Sequence, residues 1–259
     1  MPRAGAGAAP GPAGPAAPPA SPPAGLAAPP PCRPAALPAR RSMRPRRAGK
    51  TPAMTDAERL ARSLRPAIGD ERVLQAIATV PRERFVPARL RARAYENVAL
   101  PIGEGQTISQ PLVVARMLEV LALDPRDRVL DVGTGSGYHA ALLAQLATHV
   151  WTIERRPRLA AWAVGNLAAT GVENVTVLVG DGSRGLPEQA PFDAINLAAA
   201  AWPDVPPALE RQLARHGRLV APVGASGQQL VLVERDGAGA LHRTRLEPVR
   251  FVPLIEGEP

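Results

Sequence analysis

The chain has a single cysteine, Cys32, so neither an intrachain disulfide nor a cysteine metal centre can form. Histidine is scarce too. His139, His149, His216 and His242 make no H-x-x-x-H or H-E-x-x-H pattern, and each is expected at the surface or a helix end rather than on a metal. Aromatics make up only 3% while apolar residues reach 46%, so Ala, Val and Leu must fill a sizeable core. No long apolar run occurs, which argues against a membrane span. Acidic residues are missing altogether from positions 1–53.

That last absence explains the charge. The formal net charge is +8, and the first 53 residues alone hold eight Arg and Lys. The other 206 residues carry 23 bases against 23 acids, so no overall pull toward nucleic acid is expected from them. Pro, Ala and Gly account for 37 of those first 53 residues. Such a segment cannot bury enough surface to offset its ordering entropy. It is expected to be a disordered tail, 1–53, dispensable for chemistry, ahead of one domain over 54–259. An Arg-rich, acid-free start fits a targeting peptide, but its prolines oppose an amphipathic helix. A linker, an upstream translation artefact with a start at Met43 or Met54, and a basic arm for an anionic partner are the alternatives.

The domain reads as two parts. In residues 54–127 Thr55 and Glu58 fit a capping box opening a helix through Leu64. Asp70 caps a second helix with Val73, Leu74, Ile77 and Val80 at helical spacing. Pro81 and Pro87 introduce a less regular stretch, and Pro111 suits the first turn of a third helix. From Arg128 strands and helices alternate: RVLDV, HVWTIE, VTVLVGD, FDAINLAAA and GRLVAPVG are strands, and the helices between them include PPALERQLARHG. That alternation predicts an α/β fold, Rossmann-like, with a mostly parallel sheet. QQLVLVERD and LHRTRLEPVRFVPL lack an intervening helix, so the last strands are expected to pair antiparallel.

Between the first strand and its helix lies DVGTGSGYHA. Glycines there permit positive φ and close approach of a ligand to the backbone, at the carboxyl end of a strand. The pattern is not the dinucleotide G-x-G-x-x-G, since that third glycine would fall at Tyr138. No G-K-[ST] follows either. Asp131, two residues before Gly133, suits a cationic amine better than a pyrophosphate. Glu154 ends the second strand 21 residues after Gly133, where a carboxylate can accept both ribose hydroxyls. Asp181 and Gly182 end the third and could meet an adenine edge. Amine, ribose and adenine together describe S-adenosylmethionine.

Upstream stands GEGQTISQP, Gly103 to Pro111, with Ser109 and no histidine, lysine or cysteine beside it. Spacing alone leaves Ser109 equally suited to capping the next helix or to chemistry. GEGQTISQP, VLDVGTGSGY, VGDG, APFDAI, LVAPVG and RFVPL, in that order from about Leu60 onward, resemble the protein-L-isoaspartate O-methyltransferases.

The resemblance implies methyl transfer from S-adenosylmethionine to the free carboxylate of isoaspartyl residues in damaged proteins and peptides. It implies that Ser109 positions that carboxylate, and that Gln106, Thr107 and Ile108 lie against cofactor and substrate. It places Asp131, Gly133, Thr134, Gly135, Ser136, Gly137, Glu154, Asp181 and Gly182 at the cofactor. A monomer in the cytoplasm is expected, with no membrane or specific nucleic-acid partner. There are departures from the family pattern. NLAAAAWP, Asn196 to Pro203, has no hydroxyl where many relatives carry threonine, and Glu104 in the serine loop is expected to point to solvent. The same fold with a different methyl acceptor is the competing reading, and a binding module without turnover is a third.

Overall fold

The computed structural model of the protein describes residues 53–257. The expected disordered tail lies outside them except for Ala53. Helix α1 (Asp56–Leu64) begins as the sequence predicts: Thr55 Oγ1 accepts from Glu58 N–H at 3.2 Å and the Glu58 carboxylate accepts from Thr55 N–H at 2.6 Å. Helix α2 (Glu71–Thr79) starts at an Asp70 cap, and two short 3₁₀ turns, Arg82–Phe85 and Ala88–Arg93, follow.

The serine loop is more ordered than a loop. Strands β1 (Leu100–Gly103) and β2 (Gln106–Ile108) pair antiparallel as a hairpin. Gly103, Glu104 and Gly105 all have positive φ at its tip. Helix α3 (Pro111–Leu121) follows directly, with Pro in its first turn.

The main sheet holds β3 (Arg128–Val132), β4 (His149–Glu154), β5 (Val175–Val179), β6 (Phe192–Leu197), β7 (Leu213–Val223), β8 (Gln229–Arg235) and β9 (Leu241–Pro248). Their order is β5-β4-β3-β6-β7-β8-β9. The first five are parallel, and β8 and β9 add antiparallel. Helices α4 (Tyr138–Ala144), α5 (Pro157–Ala169) and α6 (Pro207–Arg211) complete the chain.

Alternation along the strands sorts the core into two layers. Val129, Ala194 and Val220 pack with residues of α1 to α5. Leu130, Ile195 and Leu219 face the opposite side with Leu209 of α6. No helix among the described residues is long and apolar enough to cross a membrane.

One predicted element is wrong in extent. The helix expected over PPALERQLARHG stops at Arg211, and β7 begins at Leu213. Buried Gln212 decides this: its carboxamide accepts from Leu186 N–H at 2.7 Å and donates to Arg184 C=O at 2.7 Å, while its own C=O accepts from Phe192 N–H at 2.9 Å. These contacts fix residue 212 at the mouth of a strand and override the local helical preference. His216, with φ 62°, then breaks the pattern further.

Thr55→Ala is expected to cost about 1 kcal/mol by removing the α1 cap. That should appear as a thermal midpoint lower by roughly 2–4 °C. An unchanged midpoint would show that α1 does not depend on its capping box.

Candidate active site

The carboxyl ends of β3, β4 and β6 define one cleft. After β3 the chain turns through Gly133, Gly135 and Gly137, whose φ values are 97°, 54° and 90°. Only glycine holds these angles without strain. A side chain at Gly135 would also reach Ile102 Cδ1 of the hairpin at 3.3 Å, so the turn and the hairpin are near neighbours. Gly133 N–H donates to Ile153 C=O at 2.9 Å, tying the turn to β4. Glu154 closes that strand, 6% exposed, and its oxygens accept from Gly135 N–H at 2.8 Å and Arg156 N–H at 3.0 Å. Each carboxylate oxygen keeps further acceptor capacity toward the cleft.

The cleft has a volume of about 90 Å³. Of the residues the sequence singles out, Gln106, Thr107, Gly133, Gly135, Glu154 and Gly182 line it. Ile108, Thr134, Ser136 and Ser109 line a smaller adjoining cavity. Gly137 stands outside both, as the residue before α4, where a Cβ would meet Ala163 Cβ at 3.3 Å. Its smallness serves helix packing.

Two predicted acids sit behind the walls. Asp181 Oδ1 accepts from Ser183 N–H and Oγ–H at 3.0 and 2.6 Å, and Oδ2 accepts from Gly257 N–H at 2.9 Å. Asp131 is fully buried. Strand register sets it in a row between Asn196 of β6 and Thr152 of β4. Asn196 Nδ2 and Thr152 Oγ1 each donate to it at 2.7 Å. Burial pushes the Asp131 carboxyl up to about 6, with the two hydrogen bonds acting against that rise. Since the Thr152 proton goes to Asp131, Thr134 donates to Thr152 at 2.7 Å. Thr134 therefore turns its hydroxyl inward.

His139, the second residue of α4, stands at a helix end as expected, and it belongs to this network. It is 7% exposed, and its Nδ1 lies 3.2 Å from Asn196 Nδ2. Nothing local in the sequence signals Thr152, Asn196 or His139, because register alone assembles them.

A second cleft opens on the other side of the hairpin, lined by Thr107, Ser109, Gln110, Val113, Ala198 and the 248–252 segment. Ser109 is not spent on capping α3. The residue before that helix, Gln110, makes no side-chain cap bond, and Asn97 Oδ1 accepts from Leu112 N–H at 3.0 Å instead. Arg82 holds Ser109 from behind. Its guanidinium is fully buried, donates to Ser109 C=O at 3.0 Å and Ala94 C=O at 2.8 Å, and lies 4.9 Å from the Tyr138 ring centre. Desolvation lowers its pKa, and no carboxylate pairs with it among the described residues.

Two further findings revise the sequence reading. Glu104 does not simply face solvent: its carboxylate lies 3.7 Å from Arg156 and 3.9 Å from Arg158 at the start of α5, so the hairpin tip is clasped across the cleft. The alanine run lines the clefts with Ala198 and Ala199, and its main chain holds a further wall. Ala200 N–H donates to Val252 C=O, and Leu254 N–H donates to Ala200 C=O, both at 2.8 Å. Residues 252–255 thereby become a wall of the first cleft.

The model of the protein-L-isoaspartate(D-aspartate) O-methyltransferases matches residues 56–259. The chain belongs to that family. A protein-L-isoaspartate O-methyltransferase of Koribacter versatilis is 58% identical over 188 residues, covering 73% of this chain and 84% of its own length. One from Roseiflexus castenholzii is 56% identical over 194 residues, covering 75% and 88%. Among solved structures, a Plasmodium falciparum protein-L-isoaspartate O-methyltransferase in complex with S-adenosyl-L-homocysteine aligns with a TM-score of 0.70 at 26% identity. That alignment covers 78% of this chain and all of the Plasmodium one. The family's serine loop is thus, in this chain, the β1–β2 hairpin and its exit.

Arg82→Lys is expected to cost about 1.5–3 kcal/mol in urea unfolding, because one ammonium cannot reproduce the guanidinium fork on separated carbonyls. A variant as stable as the parent would remove Arg82 from this structural role.

Proposed function

We propose that the protein transfers the methyl group of S-adenosylmethionine to the free carboxylate of L-isoaspartyl residues in damaged proteins and peptides, the first step of their repair. The observation that carries this reading is Ser109. It lines both the second cleft and the small cavity against the glycine turn, and no candidate base stands beside it in the hairpin.

The residues fit the cofactor. The positive-φ glycines keep the turn clear of side chains, and buried Glu154 offers unspent acceptor capacity for ribose hydroxyls. Gly182 and the 252–255 segment frame the far end for adenine. Asp131 acts from beneath as a buried negative charge rather than as a wall contact. When bound, S-adenosylmethionine supplies an already activated methyl on a sulfonium.

The chain's task is then placement. A substrate carboxylate with pKa near 4 is ionised at neutral pH and needs no base. Ser109 Oγ–H donates one neutral hydrogen bond to it, fixing one oxygen without the tight ion pair that would blunt the nucleophile. Arg82 holds the Ser109 backbone, so the hydroxyl stands on a fixed support. Thr107 and Ala198, which line both clefts, mark where the two reactants meet. Alignment of this kind accounts for roughly 7–11 kcal/mol of a barrier.

The second cleft is lined largely by small and apolar residues, with Arg250 its one charged residue, which suits a catalyst for peptides of many sequences. The balanced charge of residues 54–259 supports a partner that is neither nucleic acid nor membrane. A cytoplasmic monomer completes this reading.

Two peptides differing only in one aspartyl or isoaspartyl linkage test it, with methyl-labelled S-adenosylmethionine. Base-labile label and S-adenosylhomocysteine are expected from the isoaspartyl peptide alone. Binding of cofactor with no turnover on either peptide would point to another acceptor or to an inactive module. Ser109→Ala should lower kcat by roughly 10- to 100-fold, the worth of one hydrogen bond to a charged group, while S-adenosylhomocysteine affinity stays within about twofold. Loss of affinity with turnover intact at saturation would contradict the assignment. Glu154→Ala should instead weaken S-adenosylhomocysteine binding by roughly tenfold or more, measured by calorimetry. Unchanged affinity would remove Glu154 from the ribose.

A further inference from the structure

The run NLAAAAWP, which departs from the family pattern, carries a tryptophan that the fold leaves in water. Trp202 is 67% exposed, more than any other large apolar side chain among the described residues. A lone exposed apolar residue needs no explanation, but Trp202 does not stand alone. With Gln228, Val249, Phe251, Leu254 and the 224–226 turn it lines a groove of about 830 Å³. Binding pockets commonly enclose roughly 300–1,000 Å³, so the groove has room for a ligand.

Its walls are held in place. Ala201, beside Trp202, donates its N–H to Pro222 C=O at 2.9 Å, and its C=O accepts from Gly224 N–H at 3.0 Å. The Gln228 carboxamide clamps Phe251, accepting from its N–H at 2.6 Å and donating to its C=O at 3.1 Å. Phe251 packs on one core layer and Leu254 on the other. The floor and the root of the tryptophan are thus fixed before a ligand arrives, which lowers the cost of binding.

The groove continues the acceptor cleft. Val249, Arg250 and Phe251 line both, so one segment forms the ridge between them. Crossing it takes two strand spacings, about 10 Å, or about three extended residues. Arg250 is exposed on that ridge, and its guanidinium has no hydrogen bond or ion pair among the described residues. It is the one charged residue lining either space.

We propose that this groove is a second subsite for the acceptor chain, holding a stretch that begins about three residues from the isoaspartyl position. Trp202 packs against an apolar side chain there, and Arg250 favours a carboxylate at the crossing. Tryptophan and arginine are the side chains that most often concentrate binding energy in protein contacts. The occupant is the peptide already held at Ser109, because the two spaces share a wall and their only charge is positive. The proposal rests on the acceptor read above. Its consequence is selective: only a flank free to extend reaches Trp202, so damage in open segments is bound more tightly than damage beside constrained chain.

The test uses the full chain and a blocked isoaspartyl tripeptide. The same tripeptide is extended on either side by roughly six residues, with one leucine in the distal half or with Gly and Ser throughout. On one side, the leucine extension should lower KM roughly tenfold. Trp202→Ala should abolish that gain while KM and kcat for the tripeptide stay within about twofold, and Trp202→Phe should retain most of it. A glutamate next to the crossing should lower KM by a further two- to fivefold or so at low salt, and Arg250→Gln should remove this gain.

A folded Trp202→Ala protein with the parent's KM on every peptide overturns the proposal. Should that variant not fold, the Trp202 indole N–H resonance of the ¹⁵N-labelled parent decides, identified by its absence in Trp202→Phe. It should shift on saturation with the leucine peptide and stay in place with the tripeptide. A resonance indifferent to both overturns the proposal, as does a dimer in sedimentation that Trp202→Ala dissolves, since a second copy would then fill the groove. A parent protein that methylates no isoaspartyl peptide of any length defeats the functional reading itself. Turnover of the tripeptide that ignores every extension defeats only the subsite.

Discussion

A guanidinium buried without an acid to neutralise it organises this molecule. Removing a charge from water is costly unless hydrogen bonds replace the lost hydration. Arg82 finds them in main-chain carbonyls: Ala94, Ser109 and, at 3.4 Å, Val98. The Tyr138 ring covers one face. These partners come from separate segments: the 3₁₀ stretch, the hairpin strands' flanks and the helix after the glycine turn. The ion holds these bonds only when all are in place together, and its Nη1 finds no partner even then. Its cost thereby becomes a constraint on the relative position of Ser109 and the glycine turn, the two features whose juxtaposition the chemistry needs.

The site is built from main chain more than from side chains. The Ala198–Ala201 run and the 252–255 segment meet through backbone hydrogen bonds, and the glycine turn is tied to β4 by Gly133 N–H on Ile153 C=O. Glu154 is the buried charged side chain of the first cleft, while Glu104 faces Arg156 and Arg158 at its edge, an exposed pairing of the kind that contributes little to stability. This division suits a catalyst that must accept many peptide sequences while gripping one cofactor.

Local signals in the sequence sufficed where chemistry is local. The Thr55 capping box, the Asp70 cap, Pro111 in a first helical turn and the three turn glycines each announce their own geometry. Glu154 was legible because strand ends recur at predictable spacing after such a turn. What was illegible depends on partners distant in sequence. Thr152 and Asn196 matter because register sets them beside Asp131. His139 is buried because α4 packs onto that row. Gln212 stops a helix through contacts to residues 184, 186 and 192. Asp181 looked like a ligand contact, yet the Gly257 amide holds one of its oxygens. The serine motif was visible as a motif, but its hairpin pairing was not, since β2 has only three residues.

The docking of residues 252–257 has a consequence for how the protein comes into being. Synthesis runs from the amino end, so every strand of the main sheet has emerged before this segment does. Its hold is made of Ala200 with Val252 and Leu254, Asp181 with Gly257, and Arg155 with the Gly257 carbonyl at 2.7 Å. A chain that stops at Pro248 holds all seven strand sequences and the glycine turn but lacks Val252, Pro253, Leu254 and Ile255, so the sheet precedes one wall of the first cleft in order of synthesis.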